Sequence, residues 1–140
     1  MSKSKLIVVG GGGGFIGGFL AKSLLAQGHR VRSVDRKPFS EWYQKFPEVE
    51  NLVLDLQEKD ACLEALKGAD ECYNLAADMG GMGFIENNKA LCMLSVLINT
   101  HLLMAAKEHG VKKYFYASSA CVYAADKQTT PENPGLKEAD

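Results

Sequence analysis

Charge of one sign is scarce: sixteen basic and seventeen acidic residues give a formal net charge of -1, with no long block of either sign. Such a balance implies neither nucleic acid nor an anionic membrane surface as a partner. Cysteine is sparse too. Cys62, Cys72, Cys92 and Cys121 lie far apart, with no Cys-x-x-Cys pair and no histidine at metal-ligand spacing. A zinc or other metal site and a disulfide framework therefore have no support, and a reducing cytoplasm is the expected compartment. An unbroken apolar run is missing as well. The one candidate span, residues 6–25, contains seven glycines and reads as strand, turn and helix start, not as a signal peptide or membrane span. There is no internal repeat and no low-complexity tract beyond the five glycines 10–14. A length of 140 residues has room for one well-buried domain, not for two of ordinary size.

What is present is alternation. Residues 5–10 form a short β-branched run ending in glycines, as a strand buried on both faces would. Residues 15–27 carry apolar side chains at helical spacing and stop on Gly28. Further extended runs at 30–35, 51–54, 71–76 and 113–117 bring the expected strands to five. Helical patterns at 57–66 and 86–109 separate them, and residues 38–47 read as a loop or short helix whose apolar side chains cap the sheet. Strands alternating with helices mean an α/β, doubly wound parallel sheet of Rossmann type, and right-handed crossovers give the order 3-2-1-4-5. After Tyr123 the chain turns polar and proline-punctuated. Residues 1–123 are thus the expected dinucleotide-binding domain, and 124–140 an exposed loop leading toward a C-terminal catalytic and substrate region that these residues do not include.

The cofactor reading rests on context. Gly11-x-x-Gly14-x-x-Gly17 joins the first strand to the first helix, where a tight turn and close approach to a pyrophosphate both need residues without a Cβ. The amides of Phe15 and Ile16, at the helix start, then meet the phosphates. Asp35 ends the second strand, where a carboxylate binds the adenosine ribose hydroxyls. Its charge disfavours a 2′-phosphate, so NAD is expected over NADP, although Arg36 beside it is a residue type that accommodates one. Asp55 and Leu56 are placed to line the adenine pocket, and Leu75, Ala76 and Ala77 to lie beside the cofactor. All five are equally readable as ordinary strand ends.

Taken together, residues 13–17, Asp35, Asp55-Leu56, Asn74-Leu75-Ala76-Ala77 and Ser118-Ser119-Ala120-Cys121-Val122-Tyr123 resemble the extended short-chain dehydrogenase/reductases, the NAD-dependent epimerase/dehydratase family of sugar-nucleotide enzymes. The resemblance covers essentially the entire chain. Residues 74–85 and 116–123 are most similar, within that family, to the GDP-mannose 3,5-epimerases. Three departures stand out: Gly10 replaces the family's usual threonine, Ser95 replaces a helix asparagine, and the Tyr-x-x-x-Lys pair is expected some thirty residues past Cys121. The bare pattern Tyr123 to Lys127 is no substitute, because it leaves a strand for a proline-bearing loop, whereas the chemistry needs both residues on one helical face.

The resemblance implies a redox-neutral cycle with NAD: oxidation at C4 of a nucleotide sugar, GDP-mannose by the narrower match, then proton exchange at C3 and C5, then re-reduction. It gives Ser119 the hydrogen bond to the C4 oxygen and Cys121 the proton exchange. It also gives Gly80, Gly81, Met82 and Gly83 a loop on which the sugar ring lies close to backbone. On residue type alone, Ser119 reads as a strand-end serine, Cys121 as a buried small hydrophobe and the glycines as a mobile connection. Cys62, Cys72 and Cys92 read as core, and the three histidines carry no assigned chemistry. The family commonly dimerises through helices such as 86–109, so the resemblance leaves a homodimer open. These 140 residues alone are expected to be inactive. Two alternatives stay open: another NAD-dependent 4-epimerase or 4,6-dehydratase, and a non-catalytic NAD-sensing module.

Overall fold

The computed structural model describes residues 4–78, 82–119 and positions 126, 129, 130, 132, 135 and 137. The elements run β1 (Leu6–Gly10), α1 (Phe15–Ala26), β2 (Arg30–Asp35), a 3-10 turn (Phe39–Glu41), β3 (Glu50–Val53), α2 (Lys59–Leu66), β4 (Glu71–Asn74), α3 (Met82–Asn87), α4 (Lys89–Glu108) and β5 (Lys113–Tyr116). All four strand pairings are parallel and the order is β3-β2-β1-β4-β5. The doubly wound sheet is as read from the alternation.

β1 is buried along its whole length. Alternation along it feeds two cores: Val8 packs with Cys62, Leu66 and Leu102 on the α2–α4 face, and Ile7 and Val9 pack with Ala21 and Leu24 of α1 on the other. Each of the Val, Ile and Leu side chains contributes about 1.5–3 kcal/mol relative to exposure. Phe46 also packs on the α1 side, as expected of residues 38–47, and so does Val49 just beyond them. Trp42, however, buries against the glycine loop, not the sheet. A Cβ on Gly13 would meet its ring at 2.8 Å, and its indole Nε1 donates to Lys37 O at 2.9 Å.

A polar bridge centred on the buried Asn74 fixes the carboxyl end of β4. Tyr114 OH donates to Asn99 Oδ1 at 2.9 Å, Asn74 Nδ2 donates to both, and Asn74 Oδ1 accepts from Ala76 N at 3.1 Å. Burial pushes the Tyr114 hydroxyl well above its usual range, so it stays a donor.

The single helix expected over 86–109 is two. The backbone leaves helical geometry at Asn88 (φ -129°, ψ 40°), between α3 and α4. Asn87 and Asn88 donate their side-chain amides to Gly83 O (2.7 Å) and Phe84 O (2.9 Å), satisfying carbonyls that the break would leave open. α4 is 20 residues long and, by length and composition alone, apolar enough to cross a membrane. Here it packs on the sheet through Ile98, Leu102, Ala105 and Ala106, while His101 and His109 bond α2-side carbonyls at Gln57 and Leu63.

Candidate functional site

The carboxyl ends of β1, β2, β3 and β4 open onto one cleft of about 330 Å³. Its walls include eight of the residues expected to hold a dinucleotide: Gly11, Gly14, Asp35, Asp55, Leu56, Leu75, Ala76 and Ala77. At Gly11 the chain turns with φ +76°, and a Cβ there would stand 2.9 Å from Ala76 N, so both torsion and space require glycine. Its N–H donates to Val34 O at 2.8 Å, which folds the loop back over β2.

Gly17 has a different duty. A Cβ on it would stand 2.2 Å from Gly11 O, so this glycine lets α1 close onto the loop and does not line the cleft. Phe15 and Ile16 turn their side chains outward, 58% and 69% exposed, with Phe15 packed edge-on against Phe19 and Tyr43. Only their backbone amides are left for a ligand. Gly14, the N-cap of α1, has no side chain to close the first turn, and this leaves its N–H groups without a side-chain acceptor. A glycine cradle with an uncapped helix start and a carboxylate opposite suits a dinucleotide diphosphate and ribose.

Asp35 is already anchored. Its Oδ2 accepts from Gly13 N at 3.1 Å and its Oδ1 from Lys37 N at 3.0 Å. A carboxylate has about four lone-pair sites, so two ribose hydroxyls can still be bound. Gly10, in the threonine position of the family, has Leu56 Cδ1 only 3.2 Å from where a Cβ would stand. Leu56 thus fills the space that a larger residue would need.

Sequence reading missed one cross-cleft contact. Asp78, past the end of β4, accepts both terminal nitrogens of Arg36, from Nη1 at 3.3 Å and more closely from Nη2, and also Gln57 Nε2 at 2.9 Å. Its backbone N–H donates to Ser95 Oγ at 3.0 Å. Ser95, departing from the family's asparagine, is therefore a support for the β4 end.

The remaining expected positions divide. Ala117 N still bonds Asn74 O at 3.1 Å, and Ser119, shortly beyond, is exposed. Cys121, Gly80, Gly81, the side chain of Met82 and the Tyr123–Lys127 pattern lie outside the described residues. Gly83 sits in α3, and a Cβ on it would meet nothing within 4 Å, so packing does not demand glycine there. Cys62 and Cys72 are core, as expected, whereas Cys92 is only half-buried. Burial pushes both buried thiols up to about 12, so neither supplies a thiolate at neutral pH.

Known proteins agree with this geometry. GDP-mannose 3,5-epimerase 1 of Oryza sativa subsp. japonica is 41% identical over 140 residues, 99% of this chain and 37% of that protein. The chain thus spans little more than a third of the curated relatives' length. UDP-N-acetylglucosamine 4-epimerase from Methanobrevibacter ruminantium M1, solved with UDP-N-acetylmuramic acid, matches with TM-score 0.77 and 26% identity over 99% of this chain and 44% of that one. UDP-glucose 4-epimerase of Thermus thermophilus, solved with NAD, shares the fold at TM-score 0.80 and 24% identity, covering 96% and 43%. Residues 7–139 match the NAD dependent epimerase/dehydratase family, and the chain belongs to it.

Proposed function

We propose that this chain is the NAD-binding part of a sugar-nucleotide epimerase of the GDP-mannose 3,5-epimerase type. The observation that carries the reading is the cleft at the carboxyl edge of the sheet, with Gly11 and Gly14 on one wall and Asp35 on another. The nucleotide sugar follows from the rice relative's name. NAD, when bound, supplies a hydride acceptor and later donor at C4 of the sugar.

The chain's own residues supply the rest. The glycine loop and the first turn of α1 hold the diphosphate, and Asp35 takes the ribose hydroxyls. Ser119 hydrogen-bonds the C4 oxygen. Once C4 is a ketone, the neighbouring C3 and C5 hydrogens are acidic, and the Cys121 thiolate removes a proton from carbon. Return of a proton to the opposite face inverts the centre. The family resemblance assigns contact with the sugar ring to Gly80, Gly81, Met82 and Gly83. A reducing cytoplasm is the compartment in which that thiol stays free. Tyr-x-x-x-Lys occurs once in the sequence, at Tyr123 and Lys127, and we do not assign it the C4 proton transfer. These 140 residues by themselves bind NAD and do not epimerise.

Titration of NAD and NADP into the wild type and Asp35→Asn tests the cleft. NAD binds better to the wild type, and the variant loses roughly tenfold of that preference as charge repulsion disappears. An unchanged ratio removes Asp35 as the ribose reader.

The partner of α4 is a second copy. Met93, Val96, Leu97, Leu103 and Met104 are each more than two-fifths exposed and recur at helical spacing on one face. Light scattering should give a dimer mass, and Met93→Glu with Leu97→Glu a monomer. A monomeric wild type rejects this assignment.

A further inference from the structure

The inference concerns Asp78 and rests on reading the cleft as a dinucleotide site. Arg36 directly follows the ribose-reading carboxylate, and an arginine at that place is the usual receptor for a 2′-phosphate. Here its guanidinium is taken. Nη1 and Nη2 both donate to Asp78, whose side chain is only 11% exposed and is held in turn by Gln57 Nε2. The backbone of Asp78 is fixed separately, by Ser95 Oγ. The acceptor is therefore the rigid partner and Arg36, 54% exposed, the compliant one. Ionisable residues along the cleft weigh the same way: Asp35, Asp55 and Asp78 stand against Arg36 and Lys37.

We infer that Asp78 is a cofactor-specificity residue. It holds the Arg36 guanidinium at the β4 side of the cleft, so that the cation nearest the ribose is withheld from a 2′-phosphate. Asp35 repels the phosphate and Asp78 denies it a counter-charge, two independent contributions to a preference for NAD.

The test is a pair of titrations, NAD and NADP, read by calorimetry on the purified chain, so no turnover is needed. Asp78→Asn keeps the shape and removes the charge. It should raise the ratio of NADP to NAD affinity about tenfold, the worth of one charge-assisted hydrogen bond to phosphate. Adding Arg36→Ala to Asp78→Asn should cancel that gain. An unchanged ratio in Asp78→Asn overturns the inference, and so does a gain that survives loss of Arg36. Should Asp78→Asn fail to fold, Arg36→Ala alone decides: a sequestered arginine predicts less than a twofold change in the ratio, and a large drop in NADP affinity shows that Arg36 already serves the phosphate. If the wild type binds neither dinucleotide, the reading of the cleft fails and takes this inference with it. A wild type that binds NAD, with an unmoved Asp78→Asn ratio, defeats the inference alone.

Discussion

Gly14→Val should abolish NAD binding, weakening it about a hundredfold or more, while the sheet still forms. The reason lies in what surrounds Gly14. Its backbone is extended (φ -80°, ψ 174°), which valine adopts freely, and a Cβ there would meet only Gly11 O, at 3.3 Å. The new side chain projects into the cleft that Gly14 lines, where the diphosphate is to lie. Loss of even one charge-assisted contact costs about 1.5–3 kcal/mol, and steric overlap adds to it. Gly17→Val is the control with the opposite signature. Its Cβ would stand 2.2 Å from Gly11 O, so the loop or α1 must move, and stability falls together with binding. Calorimetric titration with circular-dichroism melting separates the two. A Gly14→Val chain that melts early, or that still binds NAD, removes Gly14 from the diphosphate site.

Cys121→Ser should eliminate proton exchange at carbon without touching the cofactor. The experiment joins these residues to the family's Tyr-x-x-x-Lys helix and follows deuterium uptake from solvent at C3 and C5 of GDP-mannose by NMR. Acid–base help of this kind is worth about 10²–10⁴ in rate, and a serine hydroxyl is too weak an acid to replace the thiolate at neutral pH. NAD affinity and oxidation at C4 should persist, because neither uses the thiol. Cys62 and Cys72 cannot stand in, since burial holds both thiols near 12. Undiminished exchange in Cys121→Ser would take the residue out of the mechanism. Exchange by the 140-residue chain alone would show that no further Tyr–Lys pair is needed.

Much of the fold was legible because its signals are local. A β-branched run ending in glycine names a doubly buried strand, and the glycine spacing names the turn after it. Strand ends moved by two residues at most. The errors have one source: interactions that sequence periodicity does not register. The break between α3 and α4 falls on Asn87 and Asn88, whose side chains bond carbonyls one turn back, and neither proline nor glycine marks it. The start of α3 at Met82 was hidden among glycines that read as loop. Trp42 was expected over the sheet, yet the space left by Gly13 captures it. The Arg36–Asp78 pair joins residues 42 apart in the chain, and only the sheet order, which sets the β2 and β4 ends on either side of β1, brings them together. Gly17 was legible as necessary but not as necessary for packing, because the contact that requires it is with Gly11 O.

The central position of β1 bears on how the protein is made. Of the five strands described, β1 is made first, but its two neighbours are β2, from Arg30, and β4, from Glu71. Until residue 74 has emerged, at about 5–20 residues per second, one edge of Leu6–Gly10 has no hydrogen-bond partner. The most apolar of the described strands therefore spends seconds with an open edge, a template for pairing with another chain. Slowing translation between β2 and β4 lengthens that interval, so the yield of soluble chain should depend on codon speed there more than on the rate past β5.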